Sequence, residues 1–234
     1  MKNKIACIEC KNELCLIKQG CYGDWLDKIS NDKNQYFYKK GNYIFREGET
    51  INGIYFIQHG GVKVVTTSLH GREQIVRLAK EGQILGHKGV GKTNYYFNSV
   101  ALEDSVVCFV ENELFYNASI NCPEFAYKLI FFYASELRRA ELRVKYQAQM
   151  NTREKVAMAF IYSFELFGMN PGSKMLNISL NRQDIADIAG TTAEQVTRQL
   201  SVFESEKLIS RNKREIIILN IKGLESIVSD YKNE

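Results

Sequence analysis

Two groups of residues have the types and spacing that chemistry needs. The first is Glu194, Thr197 and Arg198, within Ala193-Glu194-Gln195-Val196-Thr197-Arg198. On a helix, residues three and four apart share a face. An arginine fork matches guanine O6 and N7, and a glutamate accepts from cytosine N4. The same Glu194–Arg198 pair is also the i,i+4 ion pair of any exposed helix. The second group is thiols. Cys7, Cys10 and Cys15, in the order Cys-x2-Cys-x4-Cys, can turn toward one centre. Soft metals and iron–sulfur clusters take such ligands. Three thiols do not close a four-cysteine site, so a fourth ligand must come from elsewhere. The alternative is a disordered tail with unliganded thiols.

The first group needs a helix to display it, and Leu180 to Leu208 supplies two helical patterns. Asn181 can cap the first, with Asp184 as an acidic partner in its first turn. Ile185, Ala186 and Ile188 are its apolar face, and Ala189-Gly190-Thr191 breaks it. Thr192 can cap the second, which buries Val196, Leu200 and Phe203. Two helices joined by a short glycine-containing turn describe a helix-turn-helix, whose second helix enters the major groove. Arg182, Thr191, Thr192, Gln199 and Ser201 are candidates for phosphate contacts. Lys213 and Arg214 join them from a basic turn between two β-like runs, which reads as a wing. Such contacts position a domain and do not specify sequence. Ahead of the reader, Asn151 to Leu166 reads as a helix that Thr152 can cap, and Met175 to Ser179 as a small strand.

The thiols need a different frame. Residues 1–21 form a cysteine-rich segment, and 22–120 a sensor domain. From Tyr36 to about Glu111 the chain alternates short strands with glycine-marked turns, the pattern of a sandwich or roll. Residues 121–150 form one long helix that opens at Asn121-Cys122-Pro123. Ala126, Ile130, Tyr133, Leu137, Ala140 and Val144 recur along it at 4-3-4-3-4. That is a heptad seam suited to pairing with a copy of itself. Leu129 and Phe132 can face the strand domain. A single long helix covering its own domain would show the same pattern. Residues 151–234 form the domain that carries the reader.

Composition sets the bounds. A chain of 234 residues, 45% of them apolar, holds one large or two modest domains. A net charge of +4 permits nucleic-acid binding without demanding it. No apolar run reaches membrane-spanning length, and the first residues lack the apolar core of a signal peptide. The expectation is a cytoplasmic protein without a membrane, whose six cysteines stay reduced. No HExxH, P-loop or nucleophile elbow is present, so no catalytic residues are expected.

Together these stretches resemble the cyclic-AMP receptor protein and FNR family of bacterial transcription regulators over nearly the whole chain. Lys40-Gly41-x4-Arg46-Glu47-Gly48-Glu49 and Tyr55-Phe56-Ile57-x2-Gly60-x2-Lys63-Val64 resemble its roll turns and strands. Arg153-Glu154-Lys155-Val156-Ala157 resembles the start of its DNA domain, and Leu180 to Leu208 its signature. The resemblance implies an α+β fold: a cyclic-nucleotide-binding-like β-roll, a long dimerisation helix and a C-terminal winged helix-turn-helix. It also implies a homodimer on a palindromic operator near TTGAT…ATCAA, with RNA polymerase as a further partner. Glu194, Thr197 and Arg198 would read bases. Where nucleotide-binding members carry a glutamate and an arginine, this chain has Leu85-Gly86-His87-Lys88 and Phe97-Asn98-Ser99-Val100-Ala101. A buried phosphate without a paired cation is costly, so cyclic-nucleotide sensing is not expected. The FNR-like branch is more similar. It implies a [4Fe-4S] cluster on Cys7, Cys10, Cys15 and Cys108, sensitive to oxygen or nitric oxide. The second gap is one residue shorter here than in that branch, and Cys21 is a substitute ligand. The rival is a cluster-free regulator that senses another small molecule through the roll.

Overall fold

The computed structural model describes residues 4–87, 91, 93–212 and 215–232. The chain divides into two compact units, Met1–Thr66 with Ala79–Arg138 and Thr67–Leu78 with Arg139–Glu234. Among the described residues, no helix is long and apolar enough to cross a membrane.

The first unit opens with helices α1 (Leu16–Gly20) and α2 (Gly23–Asp32). Among the described residues eight short strands follow, of which β5 falls mostly in the second unit: β1 (Asn34–Tyr38), β2 (Tyr43–Phe45), β3 (Gly53–His59), β4 (Gly61–Thr67), β5 (Glu73–Lys80), β6 (Ile84–Leu85), β7 (Asn98–Ala101) and β8 (Ser105–Glu111). They form two four-stranded sheets, ordered β1-β8-β3-β6 and β2-β7-β4-β5. In the first sheet, Cys108 pairs with Gln35 on one side and Phe56 on the other. Alternation along a strand sends Ile54, Phe56, Cys108 and Val110 to one face. That face packs under α2, α3 (Asn112–Asn121) and the start of α4 (Pro123–Gln149), in one cluster with Ile29, Leu114, Phe125 and Leu129. Phe125 and Ile29 are fully buried, and each such side chain contributes about 1.5–3 kcal/mol of burial. The other face turns Tyr55, Val107 and Phe109 into the roll.

The first fifteen residues are not an unstructured tail over the described part. Cys7 N donates to Ser30 Oγ at 2.9 Å, and Asn12 Nδ2 donates to the carbonyls of Ile57 and Gln58 at 3.0 Å. Gly20 ends α1 directly against α4: a Cβ there would meet Phe125 Cα at 2.5 Å.

The second unit holds α5 (Thr152–Phe167), α6 (Arg182–Ala189), α7 (Ala193–Ser205), β9 (Ile209–Asn212), β10 (Glu215–Ile218), α8 (Ile221–Ile227) and α9 (Ser229–Lys232). Two local expectations are corrected. Asn151, not Thr152, caps α5, because Asn151 has extended backbone and closes a capping box with Glu154. Met175 to Ser179 is not a strand; it makes isolated bridges, Met169 to Leu176 and Met175 to Ile217. The architecture is the expected α+β one: a β-roll, a long helix and a C-terminal winged helix-turn-helix.

Candidate functional site

The reader is built from its caps outward. The Asn181 side chain accepts from Asp184 N at 2.9 Å, and the Asp184 carboxylate accepts from Asn181 N at 3.1 Å. Gly190 ends α6 in the left-handed region, with φ 67°, a conformation costly for residues with a Cβ. A Cβ there would also come within 2.6 Å of Gln147 Oε1, and Gln147 Nε2 donates to Ala189 O at 3.3 Å. Thr192 Oγ1 then accepts from Gln195 N to start α7. Val196, Leu200 and Phe203 are fully buried, which fixes the rotation of α7 and leaves Glu194 and Arg198 exposed. Thr197 is half-buried, and its hydroxyl donates to Ala193 O at 2.8 Å. Its oxygen keeps acceptor capacity. The Glu194 carboxyl is held below the usual range, first by its own backbone N–H, then by Thr192, and then by Arg198. The outward face of α7 therefore offers a carboxylate and a guanidinium one helical turn apart.

The candidate phosphate contacts are distributed around this face. Arg182, Thr192 and Ser201 are exposed, while Thr191 and Gln199 are half-buried. Thr191 O accepts from Arg72 at 3.1 Å, and Ser201 Oγ donates to Thr197 O at 3.2 Å. Lys213 and Arg214 lie outside the described residues. Sequence reasoning missed Arg211, whose Nε and backbone N donate to Glu204 at 2.9 and 3.0 Å and tie β9 to α7. It also gave no role to the pairing of Arg153 with both carboxylate oxygens of Glu206, at 2.9 and 2.7 Å. Both pairs join separate elements, so no helical spacing announces them.

The seam on α4 is uncovered in the single chain. Ile130, Leu137 and Val144 are 64%, 62% and 72% exposed. Ala140 is exposed and Ala126 half-buried. Tyr133 departs from the row: its hydroxyl donates to His87 O at 3.0 Å, and its ring lies edge-on to His87. Leu129 and Phe132 pack on the roll's cluster.

The cysteines converge on the opposite side of the first unit from the roll interior. Cys7 and Cys108 are buried in one apolar cluster, and Cys15 packs against it. Cys10 is half-buried. Lys33 is 2% exposed and donates to Cys7 Sγ at 3.1 Å. Burial opposes its charge, but Cys108, Cys7 and Cys10 together hold its pKa above the ordinary lysine value. Burial pushes the Cys108 thiol up to about 11, against the lowering effect of Lys33 and of a hydrogen bond from Gln35. Burial likewise raises Cys15, with Cys7 and Cys10 adding to it. Among the described residues, no group of three or more such side chains is arranged to hold a metal ion. The donor set nevertheless suits an iron–sulfur cluster in kind: four thiols of one region with a buried ammonium among them. Cys21 is buried in the same cluster, its thiol raised first by burial and then by a hydrogen bond with Cys122, with Cys15 and Cys7 adding to it.

Comparison with known proteins covers both units. The cyclic nucleotide-binding domain model matches residues 36–120, and the Crp-like helix-turn-helix domain model matches residues 154–227. The chain is 25% identical to the anaerobic regulatory protein of Haemophilus influenzae, over 90% of this chain and 82% of that one. It is 26% identical to the fumarate and nitrate reduction regulatory protein of Escherichia coli K12, over 90% and 84%. Among solved structures, FixK2 from Bradyrhizobium japonicum superposes with TM-score 0.74 at 24% identity, over 83% of this chain and 96% of that one, a likeness of fold.

Proposed function

This chain belongs to the Crp/Fnr family of transcription regulators, and on that premise we propose that it is a homodimer that reads a palindromic DNA operator under the control of a [4Fe-4S] cluster. The observation that carries the DNA reading is the pose of α7: three buried apolar residues on one side, and exposed Glu194 and Arg198 on the other. Arg198 pairs with guanine and Glu194 with cytosine, while Thr197 lies close enough to add a contact. The operator is a palindrome near TTGAT…ATCAA, and RNA polymerase is the partner through which bound protein alters transcription.

The dimer reading is supported by the uncovered seam on α4. A row of large apolar side chains more than half exposed is costly in water, and a parallel copy of the same helix covers it. Twofold pairing of α4 matches twofold pairing of half-sites.

The cluster reading rests on the donor set. Cys7, Cys10, Cys15 and Cys108 would hold the group, and Lys33 would offset its negative charge. Bound there, it supplies sensitivity to oxygen or nitric oxide. The chain's own part is mechanical. Cys7 and Cys15 tether the N-terminal segment to β8, and that segment continues through Gly20 to the backbone of Phe125 at the start of α4. Release of the tether loosens the support of α4 and, with it, pairing along the seam. The test uses anaerobically purified protein. The expected result is about four irons and four acid-labile sulfides per chain, with operator affinity falling on exposure to air. A cluster-free preparation that binds the operator as tightly as the loaded one overturns the coupling.

A further inference from the structure

The roll contains a second candidate site, on the face of β1, β3 and β8 opposite to that of Cys108. Strand alternation and pairing bring together side chains that are far apart in sequence. Tyr55 on β3 pairs with Phe109 on β8, and Tyr36 and Tyr38 on β1 follow on the same face. Their rings form a continuous chain. Centroids are 6.5 Å apart for Tyr36–Tyr38, 6.3 Å for Tyr36–Phe109 and 4.8 Å for Tyr55–Phe109, with interplanar angles of 66°, 53° and 47°. Steeply inclined neighbouring rings present faces in different directions. They line an open cavity of about 660 Å³, within the ~300–1,000 Å³ range of small-molecule sites.

The rim sets the charge of the ligand. Glu111 and Glu113 line the same cavity, and no lysine, arginine or histidine does among the described residues. Both carboxylates sit at the start of α3, where the helix contributes a partial positive charge of about +0.5. Two carboxylates more than balance it. Glu111 is the residue before the helix, yet its side chain makes no capping bond. Burial holds the Tyr55 phenol above its ordinary pKa, so that ring stays neutral. An anion such as a cyclic phosphate meets carboxylates and no cationic side chain among these lining residues, whereas a cation meets ring faces and carboxylates together.

We propose that this cavity binds a small organic ammonium ion, caged by Tyr36, Tyr38, Tyr55 and Phe109 and paired with Glu111 and Glu113. The site uses none of the proposed cluster ligands or DNA-contact residues, so it would give the roll a ligand of its own.

Calorimetric titration of the full chain with choline tests this, with 3,3-dimethylbutan-1-ol as the neutral isostere. Saturable choline binding is expected, with the isostere weaker by about tenfold. Tyr36→Leu and Glu113→Gln should each weaken choline several-fold; both residues are exposed, and circular dichroism checks their folding. Absence of saturable choline binding overturns the proposal. So does equal binding of the isostere, which would mark a merely apolar cleft. Unchanged affinity in a folded Glu113→Gln or Tyr36→Leu variant would place any choline site elsewhere and overturn it too.

Discussion

In the proposed reading Arg198 and Glu194 have separate duties from Arg182, although all three are exposed on the helix-turn-helix. Arg198→Ala is expected to lower the preference for operator over scrambled DNA by about 1–3 kcal/mol, the value of one good bidentate base contact. Arg182→Ala should weaken both DNAs alike and make the salt slope shallower by about one. Fluorescence anisotropy over a salt series separates the two; equal loss of preference in both variants would contradict the assignment. Gly190 is a different residue-scale constraint. Its φ of 67° and the nearby Gln147 side chain both oppose a Cβ, so Gly190→Ala should cost at least about 1 kcal/mol in denaturant unfolding. The exposed face of α7 was legible because Val196, Leu200 and Phe203 fix which side of the helix is buried. The Arg211–Glu204 pair was not, because it depends on where β9 returns.

At the scale of elements, caps decide where helices begin. Asn181→Ala and Asn151→Ala should each destabilise the protein by about 1 kcal/mol, while Thr152→Ala should cost much less. Urea unfolding checks this, and a larger loss from Thr152→Ala would contradict the capping box at Asn151. Both caps follow one rule, an asparagine with an acidic residue three positions on. The rule was read at Asn181. It was missed at Asn151 because Thr152, the next residue, is also a good cap type. The α4 seam was legible from its 4-3 spacing, yet Tyr133 obeys that spacing and still leans on His87. Periodicity gives a direction on the helix, and a neighbouring element can still claim a residue near the edge of the stripe. The aromatic cavity was not legible at all. Tyr36, Tyr55 and Phe109 meet only through the pairing of β1, β8 and β3, and no local pattern encodes that register.

For the whole molecule, the claim is that two chains pair along α4 and present two copies of α7 to one duplex. In the proposed mechanism, the thiols and Lys33 act on this pairing from the first unit, and the proposed cation cavity is a separate ligand site of the roll. Neither matters for transcription unless the paired reader exists. The most direct measurement is selection of bound duplexes from a randomised DNA pool by the anaerobically prepared protein. The account predicts enrichment of an inverted repeat whose half-sites lie about one helical turn, roughly 10 base pairs, apart or a multiple of it. Enrichment of a lone asymmetric half-site, or no enrichment at all, would contradict it.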